Sequence, residues 1–302
     1  MTTVPDQIEL RQSRDFSGVI TAVFTFIREN FKLFFKSILY IVGPPSLVGS
    51  LLLGGSVSVS GLIAGSATGI LGIISGFLLL LLSWTLTIAV VNSFVFLYME
   101  RGRDNFELQD VWQETRSNLG NVVGTSLWLV VLGIGAYFVF GFSAIFSLIL
   151  GVFAGLALLV LVVYFVVALI PIYTVRLYED VALMESVTRS RELTRGHWWL
   201  SFGVFAVPYV ITLLTSYLLA VPSYVIEFGS DYVYGRTDGE AIIAIFFAVL
   251  STFATVVLTA VPVLAATFQY FNLVEKLDGV GVMSRIEQMG NEQEETGAAV
   301  EE

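Results

Sequence analysis

The sequence predicts an all-α integral membrane protein of six transmembrane helices, built as three parallel hairpin repeats, each preceded by a cytoplasmic interfacial amphipathic helix. Three observations carry this expectation. Of 302 residues, 56% are hydrophobic and only 13% charged, where a soluble domain has roughly a quarter charged. The apolar residues gather into six stretches, each about as long as, or longer than, the ~20 residues that ~30 Å of hydrocarbon requires at about 1.5 Å per residue. Under that threading, fourteen of the fifteen basic residues (Arg11, Arg14, Arg28, Lys32, Lys36, Arg101, Arg103, Arg116, Arg176, Arg189, Arg191, Arg195, Lys276, Arg285) share one side, and only Arg236 lies opposite. Basic residues are retained on the cytoplasmic side, so both termini are expected there, in a multi-pass protein of the cytoplasmic (inner) membrane.

In chain order, residues 1–15 form a polar segment without the apolar core and small-residue cleavage site of a signal peptide. The membrane domain spans 16–278. Phe16, Val19, Ile20, Val23, Phe24, Ile27 and Phe31 make a helical ladder with polar residues between, which predicts an amphipathic helix lying in the interface. Lys32 and Lys36 can snorkel from it toward headgroups. A first span over about 33–53 is interrupted by Pro44-Pro45, where two lost donors predict a kink or break. A Gly/Ser-rich stretch leads into a second span, about 69–98. Gly61, Gly65 and Gly69, spaced by four with Gly72 and Gly76 beyond, suit close helix packing.

A second amphipathic segment (Leu108, Val111, Trp112, Thr115, Leu119) is expected to end at Gly120. Spans over about 122–140 and 144–173 follow, joined by a turn near 141–143, with Pro171 bending or ending the second of them. The fifth span, about 199–226, holds Pro208 and Pro222. The sixth, about 241–270, holds Pro262. Residues 279–302 read as a short amphipathic piece and an acidic, disordered tail, which supplies six of the charges behind the net −10.

Residues 16–99, 106–175 and 181–272 share one grammar: an amphipathic helix, a turn at Asn30, Gly120 or Gly196, then a hairpin of spans. Their ends match too, as Leu97-Tyr98-Met99-Glu100, Leu177-Tyr178-Glu179 and Leu273-Val274-Glu275. The stretch from 179 to 207 organises the rest. Asp180 is the expected N-cap of a charged helix and Gly196 its stop. His197, Trp198 and Trp199 then mark the border where indole rings favour the headgroup layer. Arg176, Arg189, Arg191 and Arg195 are balanced by Glu179, Asp180, Glu185 and Glu192, which predicts i, i+4 pairing along the helix.

Ser190, Leu193, Thr194, Gly196 and Trp198 fill a Ser-x-x-Leu-Thr-x-Gly-x-aromatic run entering a hydrophobic hairpin. In this the chain resembles the membrane domain of the glycerophosphoryl diester phosphodiesterase family and its stand-alone bacterial relatives. Tyr270-Phe271-Asn272-Leu273-Val274-Glu275 resembles the closing segment of that family. The resemblance implies fold and membrane location. The catalytic barrel of the fused phosphodiesterases has no counterpart in these residues, so it implies no activity.

With no cysteine and one histidine, thiolate metal sites, cysteine nucleophiles and His-rich metal centres are excluded, and no cofactor is expected. No ionisable residue sits deep in a span, where it would cost at least ~3 kcal/mol, which argues against a proton-coupled pump. Asn92 with Ser93, and Gln269 with Asn272, are expected to hydrogen-bond between helices. The candidate headgroup or interface residues are Arg189, Arg191, Arg195, His197, Trp198 and Trp199. The candidate helix breaks are Pro44, Pro45, Pro208 and Pro262. The sequence thus points to a non-enzymatic membrane scaffold or lipid-contacting module, whose partners are the bilayer and a second copy or other membrane proteins, not nucleic acid. A transporter or channel for a neutral or lipid-like solute is the alternative, and a polar cavity between those prolines would mark it.

Overall fold

A computed structural model describes residues 8–56, 67–103, 105–146, 148–229 and 238–279. The described residues form ten helices and no strand: α1 (Phe16–Ile41), α2 (Gly43–Ser56), α3 (Ala67–Arg101), α4 (Leu108–Phe146), α5 (Leu148–Ala168), α6 (Ile172–Tyr178), α7 (Leu183–Thr194), α8 (Trp198–Gly229), α9 (Asp238–Leu258) and α10 (Ala260–Asp278). Five helical segments are long and apolar enough to cross a membrane, and α1 with α2, bent by 50°, makes a sixth if the pair is one span. The chain is therefore a polytopic, all-helical membrane protein.

The first hairpin departs from the expected layout. No turn occurs at Asn30; α1 runs through it to Ile41, starting from Asp15, whose carboxylate accepts from Gly18 N at 2.7 Å. Asn30 is tolerated in the helix because its amide donates to Phe26 O at 3.0 Å, one turn back. The break comes at Val42, just ahead of Pro44 and Pro45, which sit in the first turn of α2, where a missing N–H removes no helical bond. The predicted apolar ladder also divides between two faces. Val19 and Val23 continue into Phe26, Phe34 and Ile38, all fully buried against the protein, while Phe16, Phe24 and Phe31 face outward.

Similar corrections apply in the middle of the chain. The helix does not end at Gly120, nor does it turn at 141–143: α4 is continuous from Leu108 to Phe146. Glycine weakens a helix by only about 1 kcal/mol, and the packing of α4 against α3 and α5 holds the helix through these positions. Pro171 does behave as expected, following the end of α5 and serving as the N-cap of α6. Pro208 and Pro222 lie inside α8, and Pro262 lies in the first turn of α10 after a one-residue break at Thr259. Gly61, Gly65, Arg236, the 282–289 segment and the acidic tail fall outside the described residues.

Helices adjacent in sequence pair closely: α2 with α3, α8 with α9, and α4 with both α3 and α5. At the α2–α3 crossing, a Cβ added to Gly76 would lie 3.0 Å from Gly49 O and 3.0 Å from Leu53 N. Gly76 thus acts as the glycine spacing predicts, letting two backbones touch.

The core is concentrated toward one end. The second half of α10 is buried all round, from Leu264 to Glu275, and α1, α3, α7 and α8 pack against it. Phe26 sits edge-on to Phe94 and Phe268 at centroid distances of 6.0 and 5.4 Å, and Phe34 to Phe94 at 5.2 Å. At the other end the helices splay. Phe138, Val160 and Leu218 expose 68%, 70% and 73% of their surface, apolar area suited to lipid and not to water.

Buried polar groups bind the packed end together, as the sequence predicted for Asn92, Gln269 and Asn272. Asn92 Oδ1 accepts from Thr174 Oγ1 at 3.2 Å and Thr267 Oγ1 at 3.3 Å, and its own carbonyl accepts from Tyr178 OH at 2.9 Å. That one residue links α3, α6 and α10. Gln269 Nε2 donates to Ser201 Oγ at 3.0 Å, Asn272 Nδ2 to Gln269 Oε1 at 3.1 Å, and Arg14 N to Asn272 Oδ1 at 2.7 Å. Ser93 Oγ, by contrast, is buried without a hydrogen-bond partner.

Three substitutions test this architecture by thermal unfolding in detergent. Gly76→Leu should lower the midpoint strongly, because overpacking costs about 1–3 kcal/mol even for modest volume, whereas Gly133→Ala, with nothing within 4 Å of the new methyl, should not. Asn92→Ala should destabilise by roughly 0.6–2 kcal/mol, the range of interhelical hydrogen bonds in membranes. An unchanged midpoint for Asn92→Ala would show that the link between α3, α6 and α10 does not hold the bundle.

Candidate functional site

Helix α7 divides the three candidate arginines by its own geometry. At about 100° per residue, positions two apart face opposite ways and positions four apart share a face. Ser186, Ser190, Leu193 and Thr194 are buried and form the inner stripe. Thr188, Arg191, Glu192 and Arg195 form an outer one, and all four are exposed. Arg189 lies at the edge, turned back toward the protein.

Its charge is consumed there. Arg189 Nε lies 3.2 Å from Glu179 Oε2, and its Nη2 is paired with Asp278 at the end of α10. Glu179 also accepts from Tyr270 OH at 3.1 Å. Burial alone would lower the Arg189 pKa, but the hydrogen bond to Asp278 and the charges of Glu179 and Asp278 outweigh it, so the pKa is raised. The pairing predicted along the helix is replaced by a clamp between α7, α10 and the end of α6. The same clamp displaces the expected N-cap. Asp180, next to Glu179, takes φ 49°, so α7 begins three residues later from Ala182, which makes no side-chain cap bond. An aspartate tolerates that left-handed turn better than most residues. Gly196 does end the helix as predicted, at φ +83°.

Arg191 and Arg195 instead line a cleft of about 350 Å³ between α7, the end of α5 and the start of α8. Thr188, Glu192, Thr194 and Trp198 share its wall with Tyr164 and Ala168 of α5. Neither guanidinium has an ion-pair partner among the described residues. One wall is an aromatic stack. Trp198 lies parallel to Tyr164 (6.1 Å, 13°) and to Phe202 (5.5 Å, 3°), and its indole N–H donates to Tyr164 O at 3.3 Å. Trp199, 77% exposed, projects edge-on from Trp198. His197 is half-buried outside the cleft, and its carbonyl accepts from Ser201 N to open α8.

Of the six candidate interface residues, the structure therefore brings Arg191, Arg195 and Trp198 together, sets Trp199 beside them, and assigns Arg189 to the clamp. Tyr164 and Thr188 were not singled out from sequence. Thr188 was legible as the i−3 and i−7 neighbour of the two arginines; Tyr164, from a distant helix, was not. Arg176 lies elsewhere, donating to Thr125 Oγ1 of α4 at 2.7 Å. None of Pro44, Pro45, Pro208 and Pro262 borders this cleft or the larger one beside α1. Among the described residues no group of acidic, histidine or cysteine side chains could hold a metal.

The division of the arginines predicts unequal consequences. Arg189→Ala should lower the thermal midpoint by an amount equivalent to about 1 kcal/mol, the upper range for a partly exposed pair, while Arg191→Ala and Arg195→Ala should leave it unchanged. Equal effects from all three would dissolve the distinction.

Compared with protein-family models, curated proteins and solved structures, the chain matches none, and nothing links it to the phosphodiesterase membrane domain beyond the residues quoted above.

Proposed function

We propose that the chain is a non-enzymatic membrane scaffold that engages phospholipid headgroups at its charged end, with the cleft of Arg191 and Arg195 as the contact. The observation that carries this reading is the pair of unpaired arginines on one helix face, beside a stacked Tyr164–Trp198–Phe202 wall at the edge of an apolar span. A lipid phosphate fits such a place. The guanidiniums supply fixed donors in fork geometry, and the indole accepts the glycerol region while keeping its N–H satisfied.

The finer topology belongs to the same reading. The charged end faces the cytoplasm of the inner membrane, both termini with it. The three sequential pairs (the bent α1–α2 with α3, α4 with α5, α8 with α9 and α10) are parallel hairpin repeats, and the start of α1, the start of α4 and α7 rest at the interface. The close pairing of sequential helices supports the hairpins, and the basic residues support the sidedness. The phosphodiesterase-like motif at Ser190 to Trp199 fits this assignment, since its Leu193 and Thr194 are buried where α7 docks and its Gly196 makes the turn into α8. The transporter reading is less favoured: no proline borders either cleft, and the space between α1, α3 and α10 is filled by Phe26, Phe34, Phe94 and Phe268.

The test is lipid retention by the purified full chain. With phosphatidylglycerol, Arg191→Gln and Arg195→Gln should each weaken binding roughly fivefold, from ~1 kcal/mol per basic charge near anionic lipid. Unchanged retention would remove the cleft from the proposal, and turnover of a phospholipid ester by the reconstituted protein would remove the non-enzymatic assignment. Labelling of single cysteines at positions 103 and 191 should proceed from one side of the bilayer only.

A further inference from the structure

A second cleft, about 730 Å³, opens between the last turns of α1 and the first turn of α4. Its polar and apolar groups are arranged differently from those at Arg191. Leu33 and Ile41 of α1 and Leu108 of α4 give it an apolar floor. Tyr40, 68% exposed, and Trp112, 44% exposed, stand at its mouth as aromatic side chains do where hydrocarbon meets headgroups. Into this mouth come one cation and one anion, Lys36 and Glu107.

Neither has an ion-pair partner among the described residues. The Lys36 ammonium lies 5.9 Å from the centre of the Tyr40 ring and has no carboxylate partner among the described residues. The Glu107 carboxylate is equally free, because the neighbouring acid takes the local partners. Asp110 pairs with Arg101 at 3.0 Å and accepts from Glu107 N at 2.8 Å. A cation and an anion that share a cleft without pairing suit a ligand that carries both complements. Lys36 fits a phosphate, and Glu107 fits a hydrogen-bond donor placed beyond it. The apolar floor then takes the upper part of an acyl chain.

From this charge complementarity we infer that the α1–α4 cleft is a second lipid site, selective for phospholipids whose headgroup bears a hydrogen-bond donor beyond the phosphate. Ethanolamine and glycerol headgroups have one; choline has none. The inference shares with the proposed function only the premise that the protein meets a bilayer, and it does not require the Arg191 cleft to bind.

The full chain in detergent is offered equimolar phosphatidylethanolamine, phosphatidylglycerol and phosphatidylcholine of one acyl composition, and bound lipid is counted by native mass spectrometry. Phosphatidylethanolamine against phosphatidylcholine is the deciding comparison, because both are zwitterionic and only the donor differs. Retention should favour the ethanolamine lipid by about threefold to tenfold, the worth of one hydrogen bond of ordinary net strength at an exposed site. Glu107→Gln should bring that ratio close to one, and Lys36→Gln should weaken all three lipids together. Arg191→Gln with Arg195→Gln should leave the ratio as it was, which separates this cleft from the other. Equal retention of ethanolamine and choline lipids by the unaltered chain, or a ratio that survives Glu107→Gln, would overturn the inference. Displacement of the lipid by equimolar soluble glycerophosphoethanolamine would overturn its assignment to the bilayer.

Discussion

Asn92 sits where no water reaches, and the bundle is arranged so that none of its polar atoms is wasted. Its amide N–H₂ is bound within α3, to Ile88 O at 2.9 Å. Its side-chain oxygen holds Thr174 and Thr267, and its backbone carbonyl holds Tyr178. In hydrocarbon, an unsatisfied amide costs several kcal/mol, so α6 and α10 are constrained to present hydroxyls at that height and angle. Gln269 and Asn272 impose the same discipline on α8 and on the chain ahead of α1. Apolar packing alone is weak at choosing among helix orientations inside a membrane, because lipid tails are as good a partner as leucine. These hydrogen bonds choose, and the aromatic cluster of Phe26, Phe34, Phe94 and Phe268 fills the space they define.

That constraint explains the unequal ends. Around the second half of α10 there is a polar reason for each helix to stay where it is. Among the described residues toward the far end of α8, side-chain hydrogen bonds stay within the helix, as at Ser216 and Ser223, and large apolar side chains of α4, α5 and α8 face outward. The division places the groups capable of specific chemistry at the packed end, on elements held rigid by the Asn92 links and the clamp of Tyr270, Glu179, Arg189 and Asp278. Both clefts border this region, so their walls are fixed by interactions that owe nothing to a ligand.

The spans were legible because hydropathy reports burial in lipid directly. The junctions were not, because Asn30 and Gly120 signal breaks only when the surrounding backbone has an alternative to the helix. In helices packed against their neighbours it has none, and the side chain of Asn30 folds back on Phe26 O instead of capping. The proline pair was a stronger signal: the expected kink or break falls at Val42, within two residues of Pro44, as the 50° bend between α1 and α2. Asp180 failed as an N-cap for a reason that lies far along the chain: Glu179 is drawn to Tyr270 and Arg189, and the backbone turns through Asp180 to allow it. The likeness of the hairpin ends was more informative at the two that carry a tyrosine, Tyr98 and Tyr178. Tyr98 accepts from Ile8 N at 3.0 Å and Tyr178 donates to Asn92 O at 2.9 Å, so each closes its hairpin onto another part of the packed end.

The arginines show how much of a site periodicity can reveal before any contact is known. Read as a run of charge, Arg189, Arg191 and Arg195 are equivalent, and four acids nearby cancel them. Read on a helix, Arg191 and Arg195 share a face with Thr188 and Glu192, while Arg189 lies about 200° from Arg191 at ~100° per residue. A helix docked by a serine and leucine stripe must turn one of those faces toward protein and the other toward water or lipid. The docked side neutralises its arginine with Glu179 and Asp278, since a guanidinium left without partners there would be costly. The open side carries no such requirement, and it is the side on which two cations remain free. Net charge over the segment therefore says little about its chemistry; which charges the fold has already used says much more.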